Sequence, residues 1–279
     1  MGPRAEQVRL ASAAFVRRPA LTGPALVAAI HVSIVSHRQA GLVAGLLADL
    51  SAIAEESDLR ISVLSNVPED HPPPPAALGG RLEFLSNARA AGFAANHNRV
   101  FRGCDAPYFC VLNPDIRFSG NPFTLLMEAF AHVRVAAAAP AAYGVDGVLQ
   151  DNARRLPTPF AIASKVWSPP RGPDYPAHDT IVQPDWVAGL FMLLRSDAYR
   201  AVGGFDERYF LYYEDVDLCM RLRLEGWQIA WLPRVEVVHD ARRESHRNPR
   251  YFLWHLRSVM RFFCSRVYRR AKALLRASA

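Results

Sequence analysis

Cysteine is scarce. The chain has four among its 279 residues, at positions 104, 110, 219 and 264. They are too few for a disulfide framework and lack the close pairing of a zinc site. The pattern predicts free thiols in a reducing compartment. A bilayer-spanning run is missing too. Pro19 to His37 carries no Asp, Glu, Lys or Arg, but Pro19, Gly23 and Pro24 interrupt it, and its apolar part falls short of the roughly 20 residues a membrane helix needs. Arg17 and Arg18 break the layout of a signal peptide, so a cytoplasmic chain is expected. The first apolar run is not followed by a glycine-rich phosphate loop. SHRQAGLVAGLL has two glycines and no lysine, which argues against a nucleotidyltransferase. Acids are nearly absent from the C-terminal end. From Arg242 onward eleven Arg/Lys face a single acid, Glu244. That stretch carries +10 of a net charge of +7, leaving −3 on the rest. A basic end predicts an anionic partner: a membrane surface, nucleic acid or a phosphorylated ligand.

What is present reads as an ordinary globular chain, 51% hydrophobic and 21% charged. Residues 1–28 form an irregular, Ala-rich lead. The strand-like runs IHVSIV (from Ile30), LRISVL (from Leu59), Arg81 to Leu85 and YFCVL (from Tyr108) are separated by helical spacing at Ala40 to Ala54 and Phe93 to Arg102. This alternation predicts a mostly parallel α/β sheet with helices on both faces. Pro72 to Pro75 reads as a stiff connection. Further on, Phe123 to Val133 is expected helical and Val135 to Ala142 extended. Asp151 to Pro184 is long and aperiodic, a layout common in functional loops. WVAGLFMLL (from Trp186) reads as one strand, Asp197 to Val202 and Asp215 to Glu225 as helices, and Gln228 to Leu232 and Val235 to His239 as two strands. The expected organisation is a lead (1–28), a catalytic α/β domain (29–240) and a basic helical extension (241–279). From Tyr251 the extension reads as one amphipathic helix.

Three places carry chemistry-bearing residues. Asn113-Pro114-Asp115 directly follows a strand, where open α/β sheets bind ligands. A carboxylate there can hold a divalent cation on a diphosphate, and the same tripeptide is a good turn former. Tyr212-Tyr213-Glu214-Asp215-Val216-Asp217 opens a helix with three acids in four residues. Such acids cap a helix and interact with its dipole. Carboxylates beside aromatics also suit a sugar hydroxyl that must be held and deprotonated. His239 ends a strand and opens the basic segment. A lone histidine is usually structural; this one can also complete a metal site with Asp115.

Taken in order, these segments resemble the inverting family 2 glycosyltransferases of GT-A fold, within them the rhamnosyltransferase-like group of bacterial surface-polysaccharide synthesis. The resemblance runs from about Ile30 to His239. It includes DWVAGLFMLLRSDAYRAVGGFDERYFLYYEDVDLCMRLRLEGW, whose most specific part is the block from GGFDE to YYEDVDLCMRLRLEGW. It implies that Asn113 and Asp115 stand in the place of the DxD motif, with Asp115 and His239 as ligands of Mg²⁺ or Mn²⁺. It implies Asp215 as general base beside Glu214. Val35, Ser36, His37, Asn66, Gly92, Asn96 and Asn98 would border the nucleotide-sugar donor. Asp185, Trp186 and Tyr213 would face the acceptor. The family's turn after the first strand is replaced here by Ser36-His37-Arg38, and its base-reading Asp by Ser65-Asn66. The implied donor is dTDP-L-rhamnose, with UDP- or GDP-linked sugars as the alternative. The implied acceptor is a lipid-linked cell-surface glycan of lipopolysaccharide or O-antigen type at the inner face of the cytoplasmic membrane.

The basic extension admits two readings. At 100° per residue Leu253, Leu256, Met260, Phe263 and Val267 share one side and Arg257, Arg261 and Arg269 lie beside or opposite it, as in a helix on an anionic bilayer. The same apolar side would also pack well on the catalytic domain. Aromatics interleaved with arginines further allow stacking on nucleic-acid bases. The membrane reading is preferred and no nucleic-acid partner is expected.

Overall fold

The computed structural model describes residues 29–164, 172–177, 179–240 and 249–277. The expected lead, 1–28, lies outside them. Short apolar runs become β1 (Ile30–Ser36), β2 (Leu59–Ser65) and β4 (Tyr108–Leu112), which bury on both faces, and β3 (Leu82–Ser86), a half-buried edge strand. α1 (Ala40–Ala52) joins β1 to β2, and α2 (Phe93–Phe101) joins β3 to β4. α1 buries Val43, Leu46, Leu47 and Leu50 against the sheet. Beyond β4 come β5 (Ile116–Arg117), α3 (Pro122–Met127), β6 (Val135–Tyr143), β7 (Ala153–Arg154), α4 (Pro159–Ser164), β8 (Trp186–Val187), β9 (Phe191–Arg195), α5 (Ser196–Ala201), α6 (Glu214–Leu224) and β10 (Gln228–His239).

Eight strands form one sheet in the order β3-β2-β1-β4-β9-β6-β10-β5. β1, β2, β3 and β4 pair in parallel, as do β6 and β10. β9 runs antiparallel between β4 and β6, so the sheet is mostly parallel, as expected. β7 and β8 make a separate two-stranded ladder. Buried side chains form an apolar layer on each side of the sheet, one around Leu46, Leu50 and Phe123 and one around Phe109, Tyr199 and Trp231.

Three expectations are corrected. The run from Trp186 to Leu194 is two strands, interrupted by Ala188, Gly189 and Leu190; the break frees the Gly189 amide for the site described below. The two short strands expected at 228–232 and 235–239 are one, β10, whose register shifts between Leu232 and Glu236, around Pro233. The extension is two helices, α7 (Pro249–Cys264) and α8 (Arg266–Ala277), divided at Ser265. Its apolar surface is split. Phe262, Tyr268 and Ala271 join the core, while Phe252, Leu253, Leu256 and Met260 stay 64%, 61%, 47% and 58% exposed. No helix among the described residues is long and apolar enough to cross a membrane.

Candidate active site

The carboxyl ends of β1, β4, β6 and β10 share one edge of the sheet, and the antiparallel β9 begins there. Asn113-Pro114-Asp115 leaves β4 at this edge as a tight turn. The Asn113 amide donates to Leu190 O (2.8 Å), and the Ile116 amide returns to Asn113 O (3.2 Å). The turn reading of this tripeptide holds. β5 pairs Ile116 with His239, and the Asp240 amide donates to Asp115 O (3.0 Å). This antiparallel bridge brings together two side chains 124 positions apart.

His239 Nε2 lies 3.3 Å from Asp115 Oδ2. Gln150, which the sequence reading did not single out, sets the ring. Its amide nitrogen donates to His239 O (3.2 Å), so its oxygen is the atom 2.6 Å from Nδ1. Nδ1 therefore carries the proton. That leaves Nε2 as the ring nitrogen that faces the carboxylate. Asp115 Oδ1 is buried with no partner among the described residues. The pair fits one side of a divalent-metal site, with Gln150 orienting the imidazole from behind. No group of three or more His, Cys, Asp or Glu converges among the described residues; the remaining coordination positions would fall to the donor's oxygens and water.

α6 carries the acids. Asp215 Oδ2 accepts from the Gly189 amide (3.0 Å) and Oδ1 from its neighbour Val216 (2.8 Å). The Gly189 bond crosses from the break between β8 and β9, so the carboxylate is aimed by the sheet rather than by its own helix alone. Removal from water raises the Asp215 carboxyl above the ordinary range, against these amides and the nearby Arg154. Glu214 is buried, with Oε2 unpartnered. Burial first, and the Asp215 charge second, push its carboxyl well above the usual value. The geometry divides the acids: Asp215 is braced by two main-chain amides, and Glu214 is buried with one oxygen unpartnered. Asp217 is a brace. It is buried against Arg221 (2.6 Å), whose guanidinium also donates to Val202 O and Gly204 O (both 2.7 Å).

Tyr212 and Tyr213, which lead into α6, both have left-handed backbone, φ 70° and 69°. Such conformations cost roughly 1–2 kcal/mol per non-Gly residue and persist where packing enforces them. α7 supplies that packing. Tyr213 lies against Phe262 (5.4 Å between ring centres) and both tyrosines against His255. Ser258 Oγ donates to Leu211 O (2.9 Å). Burial pushes the Tyr213 phenol up to about 12, so it remains neutral.

On the expected acceptor side, Trp186 donates its indole N–H to Arg155 O (2.9 Å) and supports the Arg154 guanidinium over its ring (5.4 Å). Arg154 is held by Asp151 (2.8 Å). The Asp185 carboxylate is committed internally, to the Leu156 amide (2.7 Å) and Arg223 (3.7 Å). On the expected donor side, Val35 and Ser36 end β1, and the exposed His37 follows. Asn66, Asn87 and Asn96 form a side-chain network. Asn66 Oδ1 accepts from Asn87 (3.0 Å) and the Ala91 amide (2.8 Å), and Asn96 Oδ1 accepts from Asn87 (2.7 Å). These hydrogen bonds tie the end of β2 to the segment that leads into α2. Gly92 is needed there, because a Cβ would lie 2.6 Å from Phe210 O.

Asn98 is displaced from its expected place. Positions i and i+2 of a helix face apart, so Asn98 points away from Asn96, under the 199–207 turn. It accepts from Tyr199 Oη (2.6 Å) and the Phe205 amide (3.0 Å) and donates to Phe205 O (2.8 Å). Glu69 was not foreseen. One of its oxygens accepts the Gln39 amide at the start of α1 (3.0 Å); the other is buried and unpartnered. Its only sequence signal is an acid shortly after β2.

Comparison with known proteins gives a consistent picture. Residues 171–260 match the family model described as glycosyltransferase like family 2. Over 249 residues, 84% of the chain, it is 28% identical to rhamnosyltransferase WbbL of Escherichia coli (strain K12), covering 92% of that protein. Over 151 residues, 50% of the chain, it is 34% identical to N-acetylglucosaminyl-diphospho-decaprenol L-rhamnosyltransferase of Mycobacterium tuberculosis (strain ATCC 25618 / H37Rv), and there it spans only 48% of the relative. Among solved structures, the mannosyltransferase PcManGT from Pyrobaculum calidifontis in complex with GDP-Man and Mn²⁺ superposes with a TM-score of 0.56. It shares 12% identity, over 92% of this chain and 73% of that one. GalNAc-T7 with UDP, GalNAc and Mn²⁺ gives 0.57 at 13% identity, over 78% and 44%.

Proposed function

We propose that this chain, which has the GT-A fold and matches a glycosyltransferase family 2 model over residues 171–260, transfers L-rhamnose, with inversion, from dTDP-L-rhamnose to a hydroxyl of a lipid-linked cell-surface glycan. The observation that carries the reading is the convergence, at one sheet edge, of the Asp115–His239 pair and the amide-braced Asp215. Similarity to rhamnosyltransferases along most of the chain supports the sugar.

In this reading the acceptor oxygen attacks the anomeric carbon as its bond to the diphosphate oxygen breaks. The bonding pair leaves with the nucleoside diphosphate, and the acceptor proton passes to Asp215. A Mg²⁺ or Mn²⁺ ion held by Asp115 and His239 would supply charge stabilisation for the leaving diphosphate. The Gly189 and Val216 amides keep Asp215 aimed, and its raised pKa suits a base that works near neutral pH. Glu214, kept neutral, avoids a second charge beside it. Arg154, over Trp186, adds a cation on the same side.

The exposed apolar residues of α7, with the basic charge around them, support peripheral attachment to an anionic membrane at the inner face. This also places the enzyme beside lipid-linked acceptors. Deleting the extension would remove Phe262 and Tyr268 from the core, so Leu253→Ser, Leu256→Ser and Met260→Ser together are the sounder probe.

A donor panel tests the sugar. dTDP-L-rhamnose, UDP-sugars and GDP-sugars are offered with Mg²⁺, Mn²⁺ or chelator, and the anomer formed is read by NMR. Turnover of dTDP-L-rhamnose with inversion is expected. Turnover of UDP- or GDP-sugars alone would reject the rhamnose assignment and leave a glycosyltransferase of another donor.

A further inference from the structure

A cavity of 340 Å³ lies between the turn that leads to the catalytic acids and α7, outside the site above. Arg208, Arg257 and Arg261 line it together with Glu207, Phe210, Trp254 and Ser258. The charges sort themselves. Asp206 neutralises Arg208 through paired hydrogen bonds (2.6 to 3.0 Å). Glu207 faces Asn98 (3.0 Å) and Arg102 (3.9 Å). Arg257 and Arg261 meet no carboxylate among the described residues, and positions 251 to 279 contain no acid. Arg261 lies over the Tyr209 ring (6.0 Å), and Trp254 packs on Phe210 (4.6 Å). These ring contacts restrain the cavity's shape.

We propose that this cavity seats the phosphate group of the acceptor's lipid carrier, gripped by Arg257 and Arg261. The inference rests on the lipid-linked acceptor of the proposed function and gives it a place. Two guanidiniums one helical turn apart suit a phosphate or diphosphate, since each presents a planar fork of donors. Their position on the helix selects an amphiphile. At 100° per residue they fall between the buried Ser258 and Phe262 on one side and the exposed Leu253, Leu256 and Met260 on the other. A charged head in the cavity therefore directs an apolar chain along that stripe. A free phosphate has no use for the stripe. The cavity also sits on the acceptor's side of the reaction. Phe210 and Leu211 lie just before Glu214 and Asp215, and the Ser258 bond ties α7 to that turn. The donor diphosphate belongs to the Asp115–His239 edge.

The test uses the full chain and direct binding of three soluble probes, farnesyl diphosphate below its micelle concentration, farnesol and inorganic diphosphate, with sedimentation on phosphatidylglycerol vesicles as a separate arm. Farnesyl diphosphate should bind at least about tenfold more tightly than either other probe. The variant Arg257→Ala/Arg261→Ala should lose roughly tenfold or more, as expected for charge-assisted hydrogen bonds. Arg270→Ala/Arg276→Ala removes the same charge from exposed positions on α8 and should leave the affinity unchanged. Hydrolysis of the nucleotide sugar without acceptor should be the same in all three proteins. Equal affinity for farnesyl diphosphate and farnesol, or equal loss in both double variants, would overturn the proposal. So would a selective loss confined to phosphatidylglycerol vesicles, which would assign the arginines to bulk headgroups. Selective binding of farnesyl diphosphate by a protein that transfers no sugar would instead reject the proposed function and leave the cavity's assignment standing.

Discussion

Asp215→Asn separates chemistry from architecture. Both oxygens of Asp215 accept main-chain amides, from Gly189 at 3.0 Å and Val216 at 2.8 Å. Asparagine keeps one acceptor and turns an amino group toward the other amide. Leaving that donor unpaired costs about 1–3 kcal/mol. The neutral amide escapes the desolvation that raises the carboxyl's pKa, which offsets part of the loss. A net change near 1 kcal/mol lowers the melting temperature by about 2–4 °C in a domain this large. The catalytic loss is greater. Removing a general base lowers transfer by roughly 10²–10⁴-fold, about 2.7–5.4 kcal/mol at 1.36 kcal/mol per decade. Donor KM should hold, because the substitution leaves the Asp115–His239 pair intact. The assay is steady-state transfer with the donor at saturation, together with thermal melting. The wild-type pH profile adds a further check. Asp215 works deprotonated, and its pKa is raised, so activity should fall on the acid side at a pH above the ordinary Asp range. The Asn variant should lack that limb. A folded Asn variant within roughly threefold of wild type would refute the assignment. Asp217 could not take over, since Arg221 occupies it.

Three further outcomes follow from the same geometry. Glu214→Gln removes a carboxyl whose pKa is raised by folding; wild-type stability is lost as pH rises from the unfolded value through the folded one, so the melting temperature of the variant relative to wild type should climb with pH over that window. Asp115→Ala and His239→Ala should each raise the donor KM and weaken its dependence on Mn²⁺ while melting stays near wild type, and an unchanged Mn²⁺ titration would remove the pair from the metal site. Phe262→Ala empties a fully buried ring site and should cost about 3–5 kcal/mol by denaturant unfolding, with transfer reduced even where the protein remains folded because Tyr213 loses its support.

The parallel half of the sheet was legible because its strands are short β-branched runs separated by amphipathic helices. Periodicity and punctuation suffice for that. Asp115, Asp215 and His239 were legible because each sits at the end of such an element. Less was legible wherever one residue's role depends on a distant partner. Asn66, Asn96 and Asn98 look alike in sequence, yet two share a side-chain network with Asn87 and one holds the 199–207 turn. Gln150 has no local signature; only the pairing of β5 with β10 gives it a histidine to orient. The break after Trp186 was hidden inside an apolar run. Apolarity reports burial there, while the bend at Gly189 answers to Asp215 on another element.

The C-terminal extension shows the same limit from the other direction. Its 3.6-residue periodicity was evident, but a helical wheel cannot say which of two apolar sides meets the protein. The structure gives α7 both. Ser258 and Phe262 face the loop that holds Tyr212 and Tyr213 in left-handed backbone, and Leu253, Leu256 and Met260 face outward. One helix thus restrains the turn that delivers the base and offers an apolar surface beside it. If that surface engages the acceptor's carrier lipid, force on the helix reaches the catalytic loop through its inner side, where His255, Ser258 and Phe262 touch the loop. Substitutions on the outer side should then change acceptor KM and leave kcat intact. Substitutions on the inner side should lower kcat for every acceptor, whether or not it carries a lipid.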